Sequence, residues 1–340
     1  MLIHPVVDTI ILLVIMSIAA ELIARGAEIL GKKFGAGFVG AVLLGFITTL
    51  PELVFVVVAI SAAQQAQQVT EGYNIAMGSA IGGNLLLFTI GYGLVILLAY
   101  IFHKQSISLD NVHLRDDLWY LLISCIVILF SALDGQFQWY EGLILIGIYI
   151  FYIIHQFFES RLFDIVPEDD AVYLADITKK QWLISGILLS VGAVLLLLVA
   201  HPFVVAIEEL SLALGLSALI LALVISPFAS EMPEKISAFI LTIRDIKGAE
   251  MAIANFIGSK VMNNSLLFGA MIVLAAVVYN NPLTDTTRDI LILLVMVLTT
   301  VIGVKLTYDL KLNPKEGLLA LILYVISVGL VFLIYNFLPS

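Results

Sequence analysis

Two short segments place a carboxylate directly after a proline inside a long apolar run: Thr48-Thr49-Leu50-Pro51-Glu52 and Ser230-Glu231-Met232-Pro233-Glu234. Proline has no N–H, and its ring crowds the carbonyl four residues earlier, here that of Ile47 and of Ala229. A freed carbonyl beside hydroxyl and carboxylate oxygens is the donor set that hard cations take; calcium wants about six to eight oxygens. A charge at the middle of a bilayer costs about 2.5–3.5 kcal/mol on insertion scales. Two carboxylates on related helices also repel each other unless a cation or a proton lies between them. A pair of protonated, hydrogen-bonded glutamates with no ligand is the competing reading. The duplication speaks against it and for a paired site at the centre of an internally repeated transporter.

Each segment is followed, some thirty residues on, by a small-residue turn ending in a polar side chain: Ile81-Gly82-Gly83-Asn84 and Ile257-Gly258-Ser259-Lys260. Gly78, Gly82, Gly83 and Gly258 allow close helix approach, which brings Asn84 toward Glu52. Asn263 and Asn264 share a helical face with Lys260, three and four residues on, and Asn263 is expected in a helix-packing hydrogen bond. Lys235 points about 100° away from Glu234 on a helix and is expected to pair with a carboxylate of another span.

The elements that must hold these residues are membrane helices. Hydrophobic residues make up 61% of the 340-residue chain and charged residues 12%, with a mean hydropathy of +1.11, where soluble domains carry about 25% charged residues. Crossing a bilayer takes about 20 apolar residues. Ten such stretches are predicted, at 6–30, 38–63, 73–101, 117–133, 139–158, 182–212, 218–243, 249–278, 289–307 and 315–336. The sixth, with Pro202 inside it, is open to being split or merged. Ser226-Pro227 predicts that the seventh is more distorted than the second.

The loops after the odd-numbered spans hold Arg25, Lys32, Lys33, Lys104, Arg115, Arg161, Lys179, Lys180, Arg244, Lys247, Lys305, Lys311 and Lys315, against Arg288 alone on the other side. The positive-inside rule then puts both termini outside the cytoplasm. Five spans per half is an odd number, so the second half enters the membrane inverted. This divides the chain into a first repeat at 1–160, an acidic cytoplasmic linker at 161–180 and a second repeat at 181–340. Cys125 is the single cysteine, which excludes an internal disulfide and a thiolate metal site. No basic n-region precedes the first apolar run, so no cleavable signal peptide is expected.

Gly45-Phe46-Ile47-Thr48-Thr49-Leu50-Pro51-Glu52 and Gly78-Ser79-Ala80-Ile81-Gly82-Gly83-Asn84 resemble the first alpha-repeat of the sodium/calcium exchanger family of the cation/calcium antiporter superfamily. Residues Ser226 to Glu234 and Asn255-Phe256-Ile257-Gly258-Ser259-Lys260 resemble the second repeat less closely. The resemblance implies an all-α membrane protein of ten helices in two inverted five-helix repeats. It implies Glu52 and Glu234 as central calcium ligands, with oxygens from Thr48, Thr49, Asn84 and Ser230 to calcium or sodium. The family works by alternating access, the first and sixth spans sliding across the remaining bundle.

Two positions depart from the family pattern. Lys260 stands where the family has Asn or Asp, and Glu231 where it has a small hydroxyl residue. The two changes are complementary in sign, and Glu231 joins the candidate metal ligands. Lys260 is expected to tune charge and coupling by occupying a place a sodium ion or proton would take, paired to Glu231 or Glu234. A static Glu231–Lys260 pair is the simpler alternative, while an unpaired buried lysine loses its proton readily and would couple transport to protons.

The expected function is antiport of a divalent cation, calcium first, against sodium. Alternatives are proton coupling, magnesium or manganese as the divalent ion, and a non-transporting relic or sensor, a reading favoured only by Lys260. An intramembrane enzyme is not expected: no nucleophile–base set or H-E-x-x-H motif is present. No cofactor is implied, only transported Ca2+, Na+ or H+. The partners are inorganic cations and the lipid bilayer, not nucleic acid. A monomer is compatible with the sequence, and a prokaryotic plasma membrane fits a short linker with no added soluble domain. Residues set aside as local or solvated are Glu21, Arg25 and Glu28, which form one helical face, and His201 with Glu208-Glu209 near the outer surface.

Overall fold

The computed structural model describes residues 4–34, 49–61, 69–109, 113–133, 135–162, 178–279, 283–284 and 287–338. Thr48, the Gly45–Ile47 stretch, the Gln64–Gln68 run and linker residues 163–177 lie outside them.

Helices account for nearly all of the described chain. In order they are α1 (Pro5–Phe34), α2 (Thr49–Ser61), α3 (Val69–Leu86), α4 (Tyr92–His103), α5 (His113–Ala132), α6 (Trp139–Leu162), α7 (Lys179–Leu214), α8 (Ala218–Ser230), α9 (Met232–Arg244), α10 (Ile246–Met262), α11 (Phe268–Tyr279), α12 (Thr287–Thr307) and α13 (Pro314–Phe337). Among the described residues, seven stretches are long and apolar enough to cross a membrane: Pro5–Ala27, Gly72–His103, Trp139–Gln156, Lys179–Leu214, Ile246–Val278, Thr287–Thr307 and Pro314–Phe337. Two of the other helices fall short for visible reasons. α5 opens on Arg115, Asp116 and Asp117, and α8 stops after 13 residues.

Local sequence sets several boundaries. The Thr178 hydroxyl accepts from the Gln181 N–H at 3.3 Å while the Gln181 side chain accepts from the Thr178 N–H at 2.9 Å, a capping box that starts α7. Gly215, at φ +65°, ends that helix in the left-handed region where an L side chain is strained. Pro202 lies inside α7 without dividing it, so the sixth expected span is one helix of 36 residues. The seventh is divided: Glu231, at φ −102° and ψ −12°, is a bend between α8 and α9. Pro233 cannot return an N–H to the Ala229 carbonyl, which removes the bond that would have continued α8.

α3 and α4 run on through a single π turn, Leu87–Gly91, and α10 and α11 through another, Asn263–Leu267. Each turn begins three residues after the polar residue of its motif, Asn84 or Lys260. Four two-residue strands tie the ends of the bundle together. β1 (Ile107–Ser108) pairs antiparallel with β4 (Lys311–Leu312), and β2 (Gln136–Phe137) with β3 (Leu283–Thr284). At the α6–α11 crossing, a Cβ on Gly142 would lie 2.7 Å from the Gly269 carbonyl oxygen, and one on Gly269 2.6 Å from that of Gly142, so backbone meets backbone there.

Polarity is inverted relative to a water-soluble bundle. Val7, Ile10, Ile11 and Val14 of α1 and Leu183, Leu197 and Leu198 of α7 point outward, while Glu52, Asn84, Lys235, Lys260, Asn263 and Asn264 are buried. Apolar surface this extensive is stable against lipid and not against water, and the chain is a multi-pass integral membrane protein. Trp119, Trp139 and Trp182 are exposed near helix starts, as interfacial residues are. Arg25 and Glu21 pair one turn apart on α1 at 2.5 Å. The Glu28 side chain is not among those described.

Candidate cation site

The break at Glu231 puts polar groups of four helices in contact. Glu52 on α2 accepts a hydrogen bond from the Ser230 hydroxyl, the last residue of α8, at 3.2 Å. The Ser226 carbonyl, one turn back and also at 3.2 Å, shares the same Ser230 proton. The Glu231 carboxyl faces the same space and comes within hydrogen-bonding reach of Glu52. Gly83 of α3 is the floor on which they meet. A Cβ there would lie 2.7 Å from Glu231 Oε1 and 3.1 Å from Glu52 Oε1. The neighbouring Gly82 faces backbone instead, where a Cβ would lie 2.1 Å from the Leu223 carbonyl oxygen of α8. The two glycines thus do separate things: Gly82 sets the α3–α8 distance, and Gly83 leaves room for the carboxyls.

Each Glu231 oxygen has one donor and keeps a further lone pair. Its Oε2 is bonded by Lys235, one turn on in α9, and its Oε1 accepts from Asn263 Nδ2 at 3.2 Å. The side chains of this ion pair are 1% and 5% exposed. The expectation that Lys235 reaches a different span is corrected: an i,i+4 pair across the helix break was closer to hand. The expected pairing of Lys260 with Glu231 or Glu234 is corrected as well. Glu231 is already held by Lys235, and Lys260 Nζ instead donates to the Asn84 carbonyl at 2.6 Å and to Asn84 Oδ1 at 3.3 Å. Asn84 therefore turns its oxygens to an ammonium group and its Nδ2 to the Ala80 carbonyl at 3.1 Å, not toward Glu52.

Glu234 takes its hydrogen bonds from a different helix. Its Oε1 accepts from Asn255 Nδ2 at 2.6 Å and from the Ser259 hydroxyl at 2.8 Å, both on α10. Among the described residues no three carboxylate, imidazole or thiolate groups converge tightly enough to hold a metal ion. In this conformation the carboxyls of Glu52 and Glu231 meet over Gly83, and that of Glu234 is bonded to α10. Thr49 lines a small cavity of about 10 Å³ with Leu50, Leu53, Leu266 and Leu267, room for about one water.

Asn263, which the sequence did not single out as a ligand, belongs to the site through its bond to Glu231, while the Asn264 amide turns to Cys125 Sγ at 3.4 Å. Asn263 Oδ1 and Asn264 Oδ1 are buried with no hydrogen-bond partner, unusual in a folded interior. The Asn263 amide is already bonded to Glu231, so its free oxygen is a ready cation donor. Ser259 and Asn255, four residues apart on one face of α10, orient Glu234. Their i,i+4 spacing within the quoted Asn255–Lys260 segment was the available signal. In all, three carboxylates and two ammonium groups occupy the region, one net negative charge when every group is ionised.

The profile of the sodium/calcium exchanger protein family matches residues 4–158 and 184–333. An uncharacterized membrane protein of Methanocaldococcus jannaschii is 24% identical over 321 residues, spanning 93% of this chain and 94% of its own. The solved structure of the H+/Ca2+ exchanger CAX superposes with a TM-score of 0.81 at 22% identity, over 98% of this chain and 86% of that one. That of the sodium-calcium exchanger NCX_Mj, soaked with 2.5 mM Na+ and 1 mM Sr2+, gives 0.63 at 20% identity, over 97% and 99%. At these identities the superpositions establish a shared fold.

Proposed function

The chain belongs to the sodium/calcium exchanger protein family, and from that premise we propose that it is a secondary antiporter exchanging a divalent cation, calcium first, for sodium by alternating access. The observation that carries this reading is the meeting of Glu52, Ser230 and Glu231 over Gly83. Opposed carboxyls in a bilayer interior need a positive charge between them. Glu52 and Glu231 bind the ion directly, with Ser230 and the free Asn263 oxygen completing its shell. Thr49, at the start of α2, adds an oxygen, and Thr48, outside the described residues, is the further expected donor. Glu234, on the far side of the break, joins as a ligand when α9 pivots about Glu231.

Ten crossings in two inverted halves, 1–160 and 181–340, belong to the same reading, with α2, α5 and the divided α8–α9 counted as crossings. The offset from Asn84 to Lys260 is also the offset from the Leu87 π turn to the Asn263 π turn and from β1 to β3, which supports a duplication. The strand pairs support a two-fold relation, since exchanging the halves turns β1–β4 into β3–β2. The loop charges favour both termini outside the cytoplasm.

Proton coupling is the second reading, and one contact favours it. Carboxyls within hydrogen-bonding reach, as Glu52 and Glu231 are, can hold one proton between them in place of a cation. The test is radioactive calcium uptake into proteoliposomes under an outward sodium gradient, a proton gradient, or neither, with Glu52→Gln as control. Uptake driven by one gradient and lost in the variant is the expected result and names the counter-ion. Absence of gradient-driven uptake by the wild type refutes calcium antiport.

A further inference from the structure

Lys260 is fully buried, and among the described residues no carboxylate forms an ion pair with it. Its Nζ sits on three neutral partners. Two are the Asn84 carbonyl at 2.6 Å and Asn84 Oδ1 at 3.3 Å. The third is the face of the Phe88 ring, 5.0 Å from its centroid. The Asn84 amide is held by its own bond to the Ala80 carbonyl, so its oxygen is aimed at the ammonium. Backbone carbonyl, amide oxygen and aromatic face together make the environment of a partly dehydrated monovalent cation, whereas a divalent ion would call for carboxylates. A role in packing alone would be met at lower cost by methionine or leucine, because burying an ammonium among neutral groups is unfavourable.

We propose that the Lys260 ammonium is a built-in cation filling a monovalent-cation subsite framed by Asn84 and Phe88. Lys260 and Asn84 occupy corresponding places in the two repeated motifs, so the side chain of one half supplies the charge that the oxygens of the other would otherwise draw from solution. The consequence for exchange rests on the antiport reading: the chain carries one mobile cation fewer than its oxygen donors would hold. The subsite itself does not depend on that reading.

The experiment is equilibrium binding of radioactive rubidium and of radioactive sodium to the full chain in detergent. It compares wild type, Lys260→Ala, Lys260→Gln and Lys260→Arg. Alanine and glutamine should each add one bound monovalent cation per chain, and arginine, which keeps a fixed charge, none. Monodisperse alanine and glutamine variants that bind no more than wild type overturn the proposal. If both variants aggregate, recovery of a monodisperse protein in high rubidium or sodium but not in choline supports it, and failure of either ion to rescue overturns it. Calcium uptake by the wild type is measured beside these. Absent uptake with gained binding leaves the subsite standing and removes the antiport reading, and intact uptake without gained binding does the reverse.

Discussion

Lys235→Met tests the charge arrangement at its tightest point. Methionine keeps most of the unbranched side chain beside Phe256, whose ring centroid lies 6.0 Å from Nζ, and removes the charge. Glu231, 5% exposed, is then left with the Asn263 amide at 3.2 Å as its remaining donor. Removing one partner of a buried ion pair costs about 3–5 kcal/mol. With an unfolding entropy of about 2.1 cal/mol/K per residue over the whole chain, that is a fall of roughly 4–7 °C in the unfolding temperature. The same change raises the net negative charge of the region from one to two, which a divalent ion balances, so calcium should stabilise the variant more than the wild type. The assay is the temperature at which half of the monodisperse protein in detergent is lost, with chelator and with calcium. Glu231→Gln combined with Lys235→Met removes both charges and should recover most of the loss without calcium. A single variant as stable as the wild type, or a double variant no better than the single, refutes the reasoning.

The two adjacent glycines of α3 should give opposite phenotypes. Gly83→Ala presses on the carboxyl ends of Glu231 and Glu52 at 2.7 and 3.1 Å, and flexible ends can give way. Stability should therefore hold while half-saturating calcium in the uptake assay rises roughly tenfold, the equivalent of ~1.4 kcal/mol. Gly82→Ala presses on the Leu223 carbonyl at 2.1 Å and the Pro227 ring at 2.8 Å, where only a parting of α3 from α8 relieves the clash. It should lower the unfolding temperature by the upper part of the ~1–3 kcal/mol range for overpacking, with uptake lost along with the fold.

Much of this arrangement could be read from the chain before its fold was known, and the omissions have a common physical cause. A proline followed by glutamate in an apolar run is a strong local signal, because few other uses justify burying that charge. It singled out Glu52 and Glu234, with Ser230 and Glu231 beside the second proline, while the distortion of the seventh span was expected from Ser226-Pro227. Partner choice was harder to read, because it depends on which helices touch. Asn84 was expected at Glu52, yet Gly83 holds that position and Asn84, one residue on, faces Lys260. Lys235 was judged against Glu234, its neighbour in sequence, when the relevant partner was Glu231, four residues back. The four short strands left no trace in hydropathy, since two paired residues at a helix end make no periodic pattern.

The asymmetry between the two halves has a consistent electrostatic sense. Where the first motif has Thr49, the second has Glu231, and where the first has Asn84, the second has Lys260. The second half thus adds one negative and one positive group at corresponding positions, and direct mutual neutralisation would be the simplest use of them. The contacts are otherwise: Glu231 is neutralised by Lys235 and meets Glu52, while Lys260 crosses to Asn84. Keeping the added charges apart leaves one end of the site anionic and the other occupied by a fixed cation. On the proposed antiport reading, a mobile cation entering such a site would be drawn to the Glu52–Glu231 end and repelled from the Asn84 end. The duplicated oxygens are then no longer equivalent, and one ion position is favoured over its symmetry mate.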